Sequence, residues 1–341
     1  MKYREAGSTG LQVSEIGFGC GGTAGLMLKG SPSERQRVIA RALELGINYF
    51  DNAPDYGDGL AEENLGSDLR ALGAKPVIVT KVEVRHADLA DIAGHVQRSA
   101  EASLKRLGVE AIDILQIHNG PTRNPPDLQG RAYSQLGLQD FLRAGGALEG
   151  LQRVLRDGKA RFIGFICRGN DGGEVRQLLQ TGLFHMINVP YTLLNPTAGM
   201  DAPPGLKVAK DFGNVITAAR EHGVGVAVYS PMAGGFLTDH FVSGGARHPH
   251  SRGLMDPASA EFHRQLSMAR EFSFLSVPGK HSLAQAAMRF PLMHSGVTVV
   301  LGGYSDIKQL EEGVPASCEG PLPDEMMHRV EAVWRGNFGQ H

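Results

Sequence analysis

The sequence holds few cysteines for its length: Cys20, Cys167 and Cys318 are the only three in 341 residues. The number is odd and no pair has metal-ligand spacing, which argues against a disulfide framework and for a reducing compartment. An excess of charge of either sign is also missing. Lys and Arg total 34 against 36 for Asp and Glu, so no overall field recruits nucleic acid or an anionic membrane surface, and a small-molecule partner is favoured. No run approaches the roughly 20 apolar residues of a membrane span. The opening MKYREAGSTGLQVSEIGFG lacks the basic start and apolar core of a signal peptide. The expectation is a cytoplasmic protein with neither nucleic acid nor membrane as partner.

What is present is a large apolar fraction, 42%, together with 45 glycines, enough for an extensive core and many tight turns. The residues around Gly7-Ser8-Thr9-Gly10 alternate as in a hairpin that caps one end of something larger. Short apolar runs of the buried-strand kind follow: IGFGC, INYFDNA, PVIVTKV, AIDILQIH, ARFIGFI, HMINVPY, GVGVAVYS and GVTVVLGG. Helical periodicity separates them. Ser33-Glu34-Arg35-Gln36 resembles a capping box ahead of VIARALELG, with Gly46 as the stop, and Leu89 to Leu107 keeps its apolar residues on one face before Gly108. Eight strand–helix repeats in 341 residues predict one domain, a closed (β/α)8 barrel of the TIM type rather than an open doubly wound sheet. Two stretches break the rhythm, Asn119 to Gly146 after the fourth strand and Pro231 to Lys280 after the seventh, the latter with an extra helix from Pro257 to Phe274. Both leave the strand end where barrel active sites are built.

Few polar residues end these strands. Asp51 ends the second, Lys81 the third and His118 the fourth, with Tyr56 five residues past Asp51. In a closed barrel those ends converge on one mouth, bringing together a carboxylate, an ammonium, an imidazole and a phenol. Such a group suits hydride chemistry at a carbonyl. An adjacent ammonium lowers the pKa of a phenol, so Lys81 is expected to tune Tyr56, while Asp51 keeps the buried Lys81 charged. His118 is expected to hydrogen-bond and polarise the substrate oxygen. Singly each residue has an ordinary structural reading; their joint placement on neighbouring strand ends is what points to function.

At these residues the chain resembles the aldo-keto reductase superfamily. DNAPDYG, the Thr-Lys of the third strand and the strand-ending His118 match its catalytic tetrad, and GSTGLQVSEIGFGC, ARFIGF, AVYSPMAGGFLT and LGGYSDIKQLEEG match its opening, fifth strand, seventh-strand loop and closing turn. The resemblance implies Tyr56 as general acid/base, Lys81 and Asp51 as its tuners, His118 as the carbonyl-orienting group, and no metal. It also implies a nicotinamide cofactor, NADP or NAD. Asn188 falls where the family places an amide near the carboxamide, and Tyr229 where an aromatic stacks on the nicotinamide. Ser230, Pro231, Met232, Gly234 and Leu237 match the pyrophosphate loop; Gly303 and Ser305 belong to the closing turn, and Gln309 and Glu312 match adenosine contacts.

Two departures matter. The fifth strand reads Gly164-Phe165-Ile166-Cys167 where many members end Gly-x-Ser-Asn, and Gly302-Gly303 are followed by Tyr304-Ser305 rather than a cation for the 2′-phosphate of NADP. Lys308 stands one turn on, yet the pattern predicts appreciable use of NAD and resembles the sugar (aldose) dehydrogenase branch. The substrate is then a small carbonyl compound or sugar, placed between the tetrad, Tyr191, the insertion after the fourth strand and the loop after Pro231. An alternative is a regulatory subunit of the same fold that binds nucleotide with little turnover; another is a metal-dependent barrel hydrolase, which Lys81 argues against. His248-Pro249-His250, in a Gly-rich loop, reads as chance spacing rather than a metal site. Substrate, direction, NADP versus NAD preference and oligomeric state are left open by the sequence.

Overall fold

The computed structural model describes residues 1–125, 135–169, 171–253 and 255–340. Eight parallel strands close into a barrel: Ile16–Gly19, Tyr49–Asp51, Val77–Val82, Ile112–Ile117, Ala160–Ile166, Met186–Pro190, Gly225–Tyr229 and Val299–Gly303. They pair in chain order, the eighth strand closing on the first through Gly302 opposite Phe18 and Gly303 opposite Gly19. The fold is the α/β barrel expected from the eight apolar runs.

The hairpin plugs the N-terminal end of the barrel. Tyr3–Glu5 pairs antiparallel with Gln12–Ser14, and at Gly7 (φ +56°) any Cβ would lie 2.4 Å from the Gly225 nitrogen, so only glycine lets the turn press onto the start of the seventh strand. Arg4 staples the hairpin to the opposite side through its bonds to the carbonyls of Leu292 and Val297. That leaves the C-terminal mouth open.

Helix boundaries follow their punctuation with two shifts. The first long helix, Pro32–Glu44, is capped by Ser31, whose hydroxyl accepts from the Glu34 nitrogen, not by Ser33; Pro32 fills the first helical position, where a missing N–H costs nothing. The helix expected from Leu89 starts at Ile92 behind the cap of Asp91, because His86–Asp88 forms a separate 3-10 turn, and it ends at Gly108 as expected. In the seventh-strand loop the extra helix spans Ala260–Arg270. The insertion after the fourth strand carries a parallel pair, Gly120–Thr122 with Gln135–Gly137, and a short helix, Leu138–Leu142; its residues 126–134 lie outside the described residues.

Inside the barrel the side chains change character in one step. Tyr49, Val79, Ile114, Met186, Ala227 and Leu301 form an apolar interior cluster. Side chains alternate across a strand, so a step of two residues keeps facing inward. Two residues on stand Asp51, Lys81, Gln116, Asn188, Tyr229 and Gly303. The polar layer is the floor of the mouth.

Candidate active site

Lys81 is 2% exposed and Asp51 4%. The Lys81 ammonium donates to Asp51 Oδ1 and to the Asn52 carbonyl, each at 2.6 Å. The other carboxylate oxygen of Asp51 accepts from Asn188 Nδ2 at 2.9 Å, and Asn188 Oδ1 accepts from Gln116 at 2.9 Å. A polar ladder from two further strands therefore holds the ion pair. Burial by itself pushes the Lys81 ammonium towards deprotonation; the charge and hydrogen bond of Asp51 outweigh it and raise the pKa above the usual lysine value. Lys81 is a fixed cation.

Tyr56 reaches the same space from the loop after the second strand, with the Lys81 ammonium 5.4 Å from its ring centroid. Its ring meets His118 edge to face, centroids 6.1 Å apart. The expectation that Lys81 brings the phenol down is met in sign only. Burial dominates, Lys81 opposes it, and the net pKa lies above the ordinary tyrosine value. The hydroxyl thus stays protonated at neutral pH. His118 is held by Asp55, whose Oδ2 is 2.8 Å from Nδ1. Burial, and secondarily the charges of Lys81 and Arg168, keep the imidazole below its ordinary pKa despite the Asp55 carboxylate. The four side chains named from the sequence are therefore brought to one mouth.

They stand at one end of a cavity of about 1280 Å³. Single small-ligand pockets run to roughly 1,000 Å³, so this one has room for a dinucleotide together with a small substrate. Asn188, Tyr229, Ser230, Pro231, Met232, Gly234, Gly303, Ser305, Gln309 and Glu312 all line it. Leu237 does not: it is fully buried in the core, and its assignment to the loop's ligand-facing side is corrected here. Tyr191 is likewise absent from the cavity, its ring tilted against Phe290 with centroids 4.8 Å apart, and no described residue of the insertion after the fourth strand reaches the lining. The amide of Asn188 is engaged by Asp51 and Gln116, which restricts what it offers a ligand.

The cavity wall opposite the tetrad is made of strained loop. Ser230 (φ +52°) and Ala233 (φ +50°) adopt left-handed backbone, followed by Gly234 and Gly235 in the same region. Non-glycine residues rarely adopt that geometry without a functional reason. The Tyr229 hydroxyl donates to the Cys167 carbonyl at 3.1 Å, fixing its ring at the cavity edge. Across the top, residues 248–252 dock on the first-strand exit. Ser251 Oγ donates to the Thr23 carbonyl at 2.6 Å, and His250 Nδ1 lies 3.1 Å from the Ser305 carbonyl. His248, Arg252 and Lys308 also line the cavity. Of the two histidines whose spacing was read as no metal site, His248 lines the groove and His250 docks on the Ser305 carbonyl, by contacts that no local spacing reveals. Among the described residues no cluster of three His, Cys, Asp or Glu side chains is arranged around a metal position. All three cysteines are free thiols.

The sequence reading missed Asp55, Glu83, Gln116 and Arg168, all within this constellation. For two of them a signal existed: Glu83 is two residues beyond Lys81 and Gln116 two before His118, and alternation places them on the same inward face.

The profile of the Aldo/keto reductase family matches residues 15–335. L-galactose dehydrogenase of Arabidopsis thaliana is 27% identical, covering 98% of this chain and 94% of that protein. L-glyceraldehyde 3-phosphate reductase of Escherichia coli O157:H7 is 27% identical over 93% of this chain and 87% of its own length. A probable voltage-gated potassium channel subunit beta of Arabidopsis thaliana is also 27% identical, over 94% and 93%. The holo form of aldo-keto reductase AKR11C1 from Bacillus halodurans superposes with a TM-score of 0.69 at 24% identity, covering 98% of this chain and 96% of that one, which bears on the fold. With the family profile spanning nearly the whole barrel, the chain belongs to the aldo/keto reductase family and is an oxidoreductase.

Proposed function

We propose that this protein moves hydride between a nicotinamide cofactor, NADP or NAD, and an aldehyde, ketone or sugar hydroxyl. The observation that carries the reading is the buried Asp51–Lys81 ion pair beside Tyr56 and His118, lining a cavity whose volume has room for a dinucleotide. Keeping two charges out of water costs stability unless they are paired and used. The nicotinamide supplies or removes the hydride at the substrate carbon. The chain's own residues manage the proton and the geometry. Tyr56, protonated because burial raises its pKa, gives its proton to the carbonyl oxygen as charge develops there, and Lys81 stabilises the phenolate left behind. Asp51 and the Asn52 carbonyl hold Lys81 in place.

Tyr229, the left-handed loop from Ser230 to Gly235, Gly303 and Ser305 are the groups that fit the cofactor. Tyr304 is buried behind the turn, and the Ser305 hydroxyl donates to the Ala24 carbonyl. No cation sits in the turn itself, which supports appreciable use of NAD. Lys308 and Arg252 line the cavity and are the cations available to NADP. The cytoplasm is the compartment this chemistry suits.

Turnover of 4-nitrobenzaldehyde with NADH and with NADPH is the test. Tyr56→Phe is expected to lower kcat at least ~100-fold, within the usual range for a general acid, with an unchanged melting transition. Michaelis constants for the two coenzymes within a factor of about ten of each other, ~1.4 kcal/mol or less, are expected. A strong preference for NADPH overturns the NAD part. The likeness to the channel subunit beta favours a second reading, a nucleotide-binding regulator; nucleotide binding with no turnover on any carbonyl would establish it.

A further inference from the structure

The tetrad end of the cavity carries one cation that no described residue neutralises. Lys81 is committed to Asp51 at 2.6 Å, and Arg85 to Asp55 at 3.3 Å and to Glu83 at 3.6 Å. Asp58, the other carboxylate of that wall, is exposed to solvent. Arg168 lines the same cavity two residues past the end of the fifth strand, and among the described residues none hydrogen-bonds or ion-pairs with its guanidinium.

Backbone contacts, not side-chain ones, fix where Arg168 stands. The Cys167 nitrogen donates to the Asn188 carbonyl at 2.7 Å, and the Cys167 carbonyl accepts from the Tyr229 hydroxyl at 3.1 Å, so the residue before Arg168 is tied to the sixth and seventh strands. From the other side the start of the insertion after the fourth strand closes in. A Cβ on Gly120 would overlap the Arg168 carbonyl and lie 2.7 Å from its nitrogen, so only glycine lets the two backbones meet. The positive charge is felt at His118, at Tyr229 and at Glu83, which agrees with a guanidinium at the tetrad end of the cavity. Burial and the charge of Asp55 push the Glu83 carboxyl up, which makes it a poor counter-ion for Arg168.

An unpaired guanidinium beside a site whose other charges are matched is a receptor for anionic oxygen. Its planar fork fits the paired oxygens of a carboxylate or two oxygens of a phosphate. We propose that Arg168 binds a negatively charged group of the substrate, carboxylate or phosphate, so that the protein acts on small aldehydes and ketones, or the corresponding alcohols, that carry such an anion. The inference rests on the hydride-transfer reading and adds to it the substrate class. Tyr56 takes the carbonyl end of the molecule and Arg168 the charged end, which sets the direction in which the substrate lies. A group held away from the reacting carbon is bound equally in the ground state and the transition state, so the pairing acts on KM and leaves kcat nearly unmoved.

Two matched pairs of substrates, assayed with NADH and NADPH on the full-length protein, test this. Succinic semialdehyde is set against its methyl ester, which lacks only the carboxylate charge, and glycolaldehyde phosphate against glycolaldehyde. In at least one pair kcat/KM is expected to favour the anion by about tenfold or more, the range of one charge-assisted hydrogen bond, with the difference in KM. The pair that shows it identifies the group as carboxylate or phosphate. Arg168→Met is expected to bring that ratio to about one with an unchanged melting transition, and Arg168→Lys, which keeps the charge without the fork, to retain part of it. Ratios near one in both wild-type pairs, or a preference for the anion that survives Arg168→Met, overturn the inference and leave hydride transfer intact. In the second case a loss of affinity for NADH and NADPH on Arg168→Met, read by calorimetry, would assign the guanidinium to the nucleotide instead. Absence of turnover on all four aldehydes in the wild type overturns hydride transfer itself, and this inference with it.

Discussion

The two ends of the cavity are built on different principles. At the tetrad end, Asp51 and Lys81 are strand residues, and Asn188 and Gln116 brace them from other strands, so barrel register sets the distances of the ion pair and its braces. At the other end, Ser230, Ala233 and the 248–252 segment are loop, held by left-handed backbone and by contacts with residues more than two hundred positions away, such as Ser251 with Thr23. One end is rigid because a sheet cannot slide without turning its side chains over. The other is built of loop, the kind of wall that the proposed entry and release of a nucleotide calls for. The difference teaches where energy is stored: in a buried ion pair at one end, in backbone strain and docking contacts at the other.

Lys81→Met breaks the rigid end. It leaves Asp51 as a buried carboxylate with its strongest partner gone, and the expected cost is about 3–5 kcal/mol, read by urea denaturation, with carbonyl turnover lost. A change below ~1 kcal/mol would mean that the amide of Asn188 suffices for Asp51, and that the contrast between the two ends is false.

Gly25→Ala probes the loop-built end. Its Cβ would fall 1.9 Å from the His250 carbonyl oxygen, at a φ of +83° that already disfavours a side chain. The segment across the groove must lift, and nucleotide affinity, followed by quenching of the single tryptophan or by calorimetry, is expected to weaken by about tenfold, roughly 1.4 kcal/mol. The Asp51–Lys81 end should be untouched, so the folded core keeps its stability to within ~1 kcal/mol of the strain introduced.

The smallest effect sharpens the comparison within the rigid end. Glu83 has a raised folded pKa through burial and the charge of Asp55. Below its ordinary value of 4.5 the group is protonated folded and unfolded alike, and its contribution is fully present; as pH rises through the raised folded value that contribution is lost, because the unfolded chain releases the proton first. Glu83→Gln keeps a donor towards Asp55 without titrating. Its stability relative to the wild type is therefore expected to improve steadily from acid to mildly alkaline pH, measured by melting temperature across that range. A flat difference would show that burial beside Asp55 does not raise the Glu83 pKa.

How legible each part was follows from the same contrast. Asp51, Lys81 and His118 were readable because they are polar residues ending apolar runs, a mismatch visible in one strand at a time. Ser31, rather than Ser33, caps the first long helix because Pro32 fits the first helical position, a detail the spacing alone placed two residues late. Leu237 and Tyr191 were misplaced because a loop residue's orientation depends on what it packs against; the first is sunk in the core and the second rests on Phe290. Asp55, immediately before Tyr56 in a turn, carried no periodic signal at all.

The order of apolar runs and helices determined the closed parallel barrel by itself, since eight buried strands joined by amphipathic helices have few other ways to hide their faces and satisfy their backbones. The tetrad's residue types came with it. Only the tertiary structure decided the proton affinities, because whether burial pushes the Tyr56 phenol or the Glu83 carboxyl up depends on surroundings and charges brought from other strands, and electrostatic energy is set by distance through space rather than along the chain.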